Sequence, residues 1–378
     1  MIYIDISPAV HSRAGMGRYA EKIADEVSKK REVTLFHNQG KGALVPTSLK
    51  HLPAYRIQAG YKPWRMAVLM GQYVQIPALS LDKRLPNATI FHATEHLLPP
   101  FLTTPTVITI HDIIPRLFPE YHKKLNYWYL NVAMPLYCRR ANAIITVSEA
   151  SKNDLVTHFE LPPKKIHVIP EAASDDFFQP AEGEIDRVKA KYLLPDQYLV
   201  HVSTIEPRKN LDRLVDALLI LREGHPELKL VLVGAKGWLV DDFFQRLGDE
   251  NLTEIVILPG WVDDEDLPGL IAGASLGVQP SLYEGFGLPI LEQMSCGQVV
   301  ASSNTSSLPE VGGDAAAYFD PTSVSEMVAV IDRLLRSPDE YRQRQEMGLK
   351  QAKKFSWKKA AAETMAVYDQ VREQYAAR

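Results

Sequence analysis

Cysteine is almost missing from this chain: among 378 residues there are two, Cys138 and Cys296, far apart and without metal-site spacing. That excludes a disulfide framework or a thiolate zinc cluster and predicts two reduced thiols in a cytoplasmic protein. Long hydrophobic runs are missing too, since none approaches the roughly 20 apolar residues a membrane span needs. The first residues, MIYIDIS, read directly as a strand, with no basic stretch leading into an apolar one, so no secretory signal is expected. Nor is there an excess of positive charge. Lysine and arginine number 42 against 46 acidic residues, for a net charge of −4 and a pI near 6.3, which excludes the basic footprint of a nucleic-acid partner. No short-period repeat and no low-complexity tract occurs.

What is present is a globular balance of 46% hydrophobic and 23% charged residues, in a length that suits two domains of roughly 150 residues each. Short apolar runs alternate with helical patterns, which predicts parallel α/β architecture. One series of strands falls at 2–6, 33–37, 89–92, 106–111 and 143–147, a second at 198–203, 229–233, 255–258, 276–280 and 299–302. Helices are expected at 18–30, 211–223 and 325–336. The acidic, turn-rich stretch EAASDDFFQPAEGE at 171–184 reads as the linker. The expected division is 1–174 and 175–357, two doubly wound domains. Ligands of such sheets bind outside the carboxyl ends of the strands, so a cleft between the domains would be lined by the loops after them.

The densest chemistry lies in SLYEGFGLPILEQM, from Ser281 to Met294. Glu284 follows a strand, Pro289 suits the first turn of a helix, and Gly297 suits its stop. Gly285 and Gly287 bare the backbone at the helix start, where N–H groups favour electron-rich oxygens. Glu292 lies in the first turns, where a carboxylate complements the dipole. Two carboxylates would repel a phosphate but accept hydrogen bonds from hydroxyls. The pattern suits a diphosphate flanked by polyhydroxylated rings, a nucleotide-sugar; a plain capped helix is the bland alternative. Positive charge comes from VSTIEPRKN, where Ser203 ends a strand and Arg208 and Lys209 stand at a helix entrance.

In the first half, Gly15 and Gly17 precede a helix and, with Ala20, match the dinucleotide fingerprint. The following strand ends in Phe36, His37 and Asn38, with no acid to hold a ribose, so a mobile glycine loop closing over a diphosphate is the preferred reading. His111 and Asp112 end another strand, where a neutral histidine can donate to a sugar hydroxyl while Asp112 fixes its surroundings. Farther on, Ser151 begins an S-x-x-D helix cap reaching Asp154. Metal sites are not expected: HATEH at 92–96 lacks the zinc-protease order, and DDED at 263–266 reads as an acidic helix start. The apolar stretch 62–76, with basic and aromatic residues at its start, could touch a bilayer surface; a buried helix or acceptor-side loop is the plainer reading.

Taken in chain order, HDIIPRLFPEYH, ITVSEASKNDL, EPRKN, GWV, EGFGLPILEQM, SSLPEVGGDAAAYFDP and FSW resemble the retaining glycosyltransferases of family GT4 over nearly the whole chain, and within them the bacterial polysaccharide mannosyltransferases. The resemblance implies the GT-B fold, two Rossmann-like domains with the last helix, 358–378, crossing back onto the first. It implies that Glu292 binds ribose hydroxyls, that Glu284 and His111 meet the donor sugar, and that Arg208 and Lys209 hold the diphosphate. Gly285, Phe286, Gly287 and Leu288 would meet sugar and phosphates through their backbone, Trp261 and Val262 would frame the base, and Gly15 and Gly17 would close near the phosphate. No cofactor or metal is implied. The partners implied are a nucleoside-diphosphate sugar, GDP-mannose first and UDP-glucose next, and a glycan or lipid-linked acceptor at the inner membrane face. Glu171 and Ala172 stand where many members have Asn-Gly, and Gln293 where alanine is usual; neither departure is expected to touch the chemistry. Two rivals are a nicotinamide-dependent sugar-nucleotide oxidoreductase and a non-catalytic nucleotide-sugar sensor.

Overall fold

The protein was analysed as a computed structural model, which describes residues 1–11, 14–39, 44–121 and 124–377. The chain divides into two compact units, Met1–Glu171 with Ser356–Arg378, and Ala172–Phe355. The boundaries expected from sequence lay three residues later at the first junction and two later at the second.

Unit 1 holds seven parallel strands: β1 Ile2–Asp5, β2 Val33–Asn38, β3 Ala54–Ile57, β4 Ile90–Ala93, β5 Thr106–Ile110, β6 Ala143–Thr146 and β7 Ile166–Val168, in the order β3-β2-β1-β4-β5-β6-β7. Unit 2 holds six: β8 Tyr198–Val202, β9 Lys229–Val233, β10 Val256–Ile257, β11 Leu276–Gln279, β12 Val300–Ser303 and β13 Ala317–Phe319, in the order β10-β9-β8-β11-β12-β13. Both sheets are doubly wound, and the strand order reverses beside the first strand of each.

Strand alternation explains how helices cover both faces of the second sheet. Leu199, Leu230 and Leu232 enter one core with the helix Leu211–Leu221, while Tyr198, Val200, Val231 and Val233 enter another beneath Val188 and Leu270. The register Leu199↔Leu230, Val200↔Val231 keeps each set in line. A slip of one residue would exchange the two cores.

The last helix, Trp357–Ala376, belongs to unit 1 and starts at a Ser356 cap that accepts Lys359 N at 3.2 Å. Its Tyr368 hydroxyl meets buried His92 Nδ1 at 2.6 Å, and the other ring nitrogen meets Thr109 Oγ1 at 2.8 Å. Thr109 in turn bonds Tyr19 of the helix Ala14–Ser28 at 3.0 Å. A polar chain through the core thus fixes this helix against the sheet.

Several sequence expectations need correction. Strands β3, β7 and β13 were missed: β3 is an exposed–half-buried alternation and the other two have three residues each, so their apolar signal is weak. The proposed linker is shorter, because Glu182 and Glu184 open the helix Glu182–Lys191, where acids suit the dipole. Ser148, not Ser151, caps the helix Glu149–Phe159: its extended backbone lets its hydroxyl accept Ser151 N at 3.0 Å. The stretch at 62–76 is largely the helix Tyr61–Val74, which buries Trp64 and Val68 and exposes Met66, Met70 and Tyr73.

Candidate active site

In unit 2 the strand order reverses between β8 and β11, which are direct neighbours. The loops leaving their carboxyl ends therefore flank a crevice suited to ligands. The chain after β8 makes a tight turn at Pro207–Lys209 and passes through Asn210 in the left-handed region, φ 60°. That conformation is tolerable for asparagine and aims its amide inward. Asn210 Nδ2 donates to Pro280 O at 3.0 Å and Pro321 O at 2.8 Å, while Leu282 N donates to Arg208 O at 2.9 Å. These bonds stitch the two loops together and bring the sequence-distant groups into contact.

The result is a buried cluster of charge. Lys209 Nζ lies 2.6 Å from Glu284 Oε1, and Arg208 Nη1 lies 2.8 Å from Glu284 Oε2. Arg208 also bonds Glu206 and the Tyr283 carbonyl. Glu284 Oε1 further accepts from Ser281 Oγ at 2.6 Å and Gln279 Nε2 at 3.2 Å. Burial pushes the Glu284 carboxyl up, but the charges of Arg208 and Lys209 and the bonds it accepts overcome this and hold it well below the usual carboxylate range. Lys209 is pulled below the ordinary lysine value by burial and by Arg208, against the opposing pull of Glu284 and Glu206.

Two cations and two carboxylates sum to zero charge. Any pull on an anion would come from the cationic heads themselves, not from a net positive patch. Glu284 spends most of its acceptor capacity on the cluster: Oε1 takes three donors, and Oε2 takes Arg208. It positions the two cations first, and only Oε2 keeps room for a hydroxyl.

The glycine–proline pattern folds into a helix start beside this cluster. Gly287, at φ 109°, precedes the helix Leu288–Ser295, and a side-chain carbon there would meet Leu308 Cδ2 at 2.7 Å. Pro289 occupies the first turn, and Gly297 at φ 77° follows the last. Glu284 N donates to Ser306 Oγ at 2.9 Å, and Ser307 Oγ donates to the carbonyls of Glu284 at 3.0 Å and Phe286 at 2.7 Å, fixing the loop. Glu284, Gly285, Phe286, Gly287 and Glu292 are buried, and Leu288 is half-buried.

Other predicted residues of this unit are placed differently. Ser203 follows β8, but its hydroxyl lies 2.6 Å from His201 Nε2, and His201 Nδ1 donates to Val278 O at 2.9 Å. Burial brings His201 down to about 4, so its ring is neutral and accepts the Ser203 proton; the Ser203 N–H is itself used by Val233 O at 2.9 Å. Gly234 brings the next loop against it, since a side-chain carbon there would sit 2.0 Å from Ser203 O. Val262 packs inward, whereas Trp261 is 83% exposed. In the acidic run, Asp266 is held by Arg187, by Lys191 at 2.5 Å and by Tyr192 at 2.7 Å, and Asp263 by Lys191 at 2.8 Å. Burial opposes ionisation of Asp266, and these partners overcome it, leaving the carboxyl at about 2.

In unit 1, Gly15 and Gly17 lie in the first turn of Ala14–Ser28, not in a mobile loop. Gly17 is needed for packing: a side-chain carbon would crowd Pro8 O at 3.1 Å and Ala9 Cα at 3.3 Å. His111 follows β5 with both ring nitrogens bonded, Nδ1 to Glu171 Oε1 at 2.9 Å and Nε2 to Thr94 O at 3.1 Å. Asp112 does not contact that ring through any of these bonds; its Oδ1 accepts Ile114 N at 2.9 Å and fixes the following turn. The expectation that Glu171 touches no residue assigned to the chemistry is corrected: it bonds His111 directly. Sequence reasoning also missed Glu206, Gln279 and Ser281. The legible signal was a polar residue ending an apolar strand, as Gln279 does.

Two doubly wound units, one carrying a buried cation–carboxylate cluster beside a glycine-started helix at its crevice, have the architecture of a glycosyltransferase. The family models agree: Glycosyltransferase Family 4 matches residues 13–176 and Glycosyl transferases group 1 matches 184–353. O-antigen chain mannosyltransferase B of Escherichia coli is 34% identical, over 96% of this chain and 97% of that protein. The chain belongs to this glycosyltransferase family. Among solved structures, sucrose-phosphate synthase from Thermosynechococcus elongatus shares the fold at a TM-score of 0.77 and 18% identity, covering 100% of this chain and 99% of that one. Anabaena HepE in complex with UDP and glucose does so at 0.72 and 18%, covering 97% and 99%. These neighbours have the GT-B fold, and this chain shares it.

Proposed function

We propose that this glycosyltransferase moves a hexosyl group, with retention at the anomeric carbon, from a nucleoside-diphosphate sugar to a growing glycan or lipid-linked oligosaccharide. The buried Lys209–Glu284–Arg208 cluster carries this reading. Departure of the diphosphate builds negative charge on its oxygens, and Arg208, Lys209 and the N–H groups at Gly287 and Leu288 would stabilise that charge most in the transition state. These groups supply the positive charge, so the reaction needs no metal in this reading. Glu292, buried in the helix start, would accept from ribose hydroxyls. Unit 2 would hold the donor and unit 1 present the acceptor, whose attacking hydroxyl gives its proton to the leaving phosphate on the same face.

GDP-mannose is the first candidate donor, because the relative spanning nearly the whole chain is named a mannosyltransferase. A UDP-hexose is second, from the UDP and glucose named with HepE. Thermal melting across GDP-, UDP- and ADP-sugars should single out one base, and the preferred sugar should then release nucleoside diphosphate only with a glycan acceptor. Stabilisation by NAD instead, or binding without release, would overturn the assignment in favour of an oxidoreductase or a sensor.

The acceptor reading extends to a membrane surface. Among the described residues no helix is long and apolar enough to cross a membrane. The helices Tyr61–Val74 and Lys124–Arg140 are joined by the Arg65 guanidinium, 3.8 Å from the Tyr129 ring centroid, and they expose Met66, Met70, Tyr73, Leu125 and Trp128. Apolar and aromatic side chains beside Lys62 and Lys124 suit an anionic interface at the inner membrane face. Sedimentation with anionic vesicles should fall in Trp128→Asp; equal sedimentation would remove this surface.

A further inference from the structure

His111 has a hydrogen-bond arrangement that fixes its protons. Nε2 faces a backbone carbonyl, which can only accept, and Nδ1 faces the Glu171 carboxylate, which also accepts. A neutral imidazole has one N–H and can satisfy one of these partners. An imidazolium satisfies both.

The surroundings agree. The His111 side chain is 14% exposed and that of Glu171 5%. Tyr19, from the helix Ala14–Ser28, meets the ring edge-on with centroids 4.7 Å apart. Burial raises the Tyr19 hydroxyl far above its usual range, so it brings no charge. His92 from β4 is pushed down to about 3 by burial and by His111 itself, so it too is neutral. Asp112 follows His111 in the chain, and Ser151, from Glu149–Phe159, contributes only a hydroxyl, donated to the His111 carbonyl at 3.0 Å. Among the described residues, the charges that raise the ring are those of the Glu171 and Asp112 carboxylates. Burial lowers His111, but the bond and charge of Glu171 outweigh it and the net direction is upward.

We propose that Glu171 is a positioning residue that holds His111 doubly protonated, so that a buried imidazolium–carboxylate pair, neutral in sum, fixes the ring at the carboxyl end of the unit 1 sheet, where the substrate would meet it. This rests on the glycosyl-transfer reading for its use, but not for its existence. Glu171 ends the first segment of unit 1, just beyond β7, and the pair ties that exit segment to the end of β5. The Glu171 carboxylate, by its bond and its charge, favours the protonated ring.

The test uses the full chain with carbon-13 in the histidine rings, His111 being assigned by the resonance lost in His111→Gln. The expected midpoint lies above the ordinary ~6.5 in the natural protein and falls below it in Glu171→Gln, while the histidine resonances other than that of His92, which His111 itself depresses, stay in place. A midpoint at or below ~6.5 in the natural protein, or no change in Glu171→Gln, overturns the pairing whether or not any donor is found. The second reading is kcat/KM for the donor against pH. Its alkaline limb should move to lower pH in Glu171→Gln, with about tenfold less activity on that limb per unit moved. An unmoved limb with a shifted histidine midpoint would show that the charge exists and is not used.

Discussion

The two sheets share a strand order but employ its reversal point differently. In unit 2 the loops after β8 and β11 converge on Arg208, Lys209, Glu206 and Glu284, two cations and two carboxylates in mutual contact. In unit 1 the neighbouring strands β1 and β4 end in Asp5 and Ala93, and the polar groups nearby form a mainly uncharged chain, His92–Thr109–Tyr19 with Tyr368. A buried charge pair of unit 1, His111 with Glu171, lies at the ends of β5 and β7. Topology offers a crevice to both units; side chains decide what it holds.

The sharpest way to break this contrast is to remove the carboxylate at the centre of the unit 2 cluster. Glu284→Ala leaves Lys209 buried without its partner and should cost unit 2 about 3–5 kcal/mol. Native-state hydrogen exchange would read the two units separately, and unit 1 should be unaffected. The sign of the pH effect follows from the depressed Glu284 value. Its contribution is present above the ordinary glutamate value of ~4.3 and is lost as pH falls through the lower folded value. The His111 pair has the opposite sign: its contribution is complete below ~6.5 and is lost as pH rises through the raised folded value. Acid should therefore loosen unit 2, and mild alkali should loosen the Glu171 segment of unit 1.

A second, smaller effect concerns turnover. Lys209→Ala should lower kcat on the order of 10²-fold, the loss expected for one preorganised donor to a developing oxyanion. The smallest is confined to unit 1. Tyr368→Phe leaves the His92 Nδ1 buried without its hydroxyl partner and should cost about 1–3 kcal/mol, loosening the last helix with unit 2 exchange unchanged.

Much of the unit 2 site was legible because its signals are local. Pro289 and Gly297 bound one helix, and the basic pair and Glu284 each follow an apolar run that could only be a strand. Their meeting was inferable from the rule that loops at a sheet's carboxyl edge converge. Unit 1 was less legible for a physical reason. Gly15 and Gly17 look like a phosphate loop in sequence, yet Gly17 is fixed by the backbone of Pro8 and Ala9, a contact with no local signature. Glu171 lies 60 residues from His111, and neither residue's neighbours announce the other. Likewise Ser148 and Ser151 both fit a cap pattern, and only the extended backbone at Ser148 decides between them.

The most direct measurement is calorimetric titration of GDP and UDP into the natural chain and into Lys209→Ala and Arg208→Ala. The account predicts that one nucleotide binds, and that each substitution weakens it at least about tenfold, the loss of a charge-assisted hydrogen bond. Equal affinity in all three proteins would contradict it, because the diphosphate would then be held without the two cations that Glu284 aims.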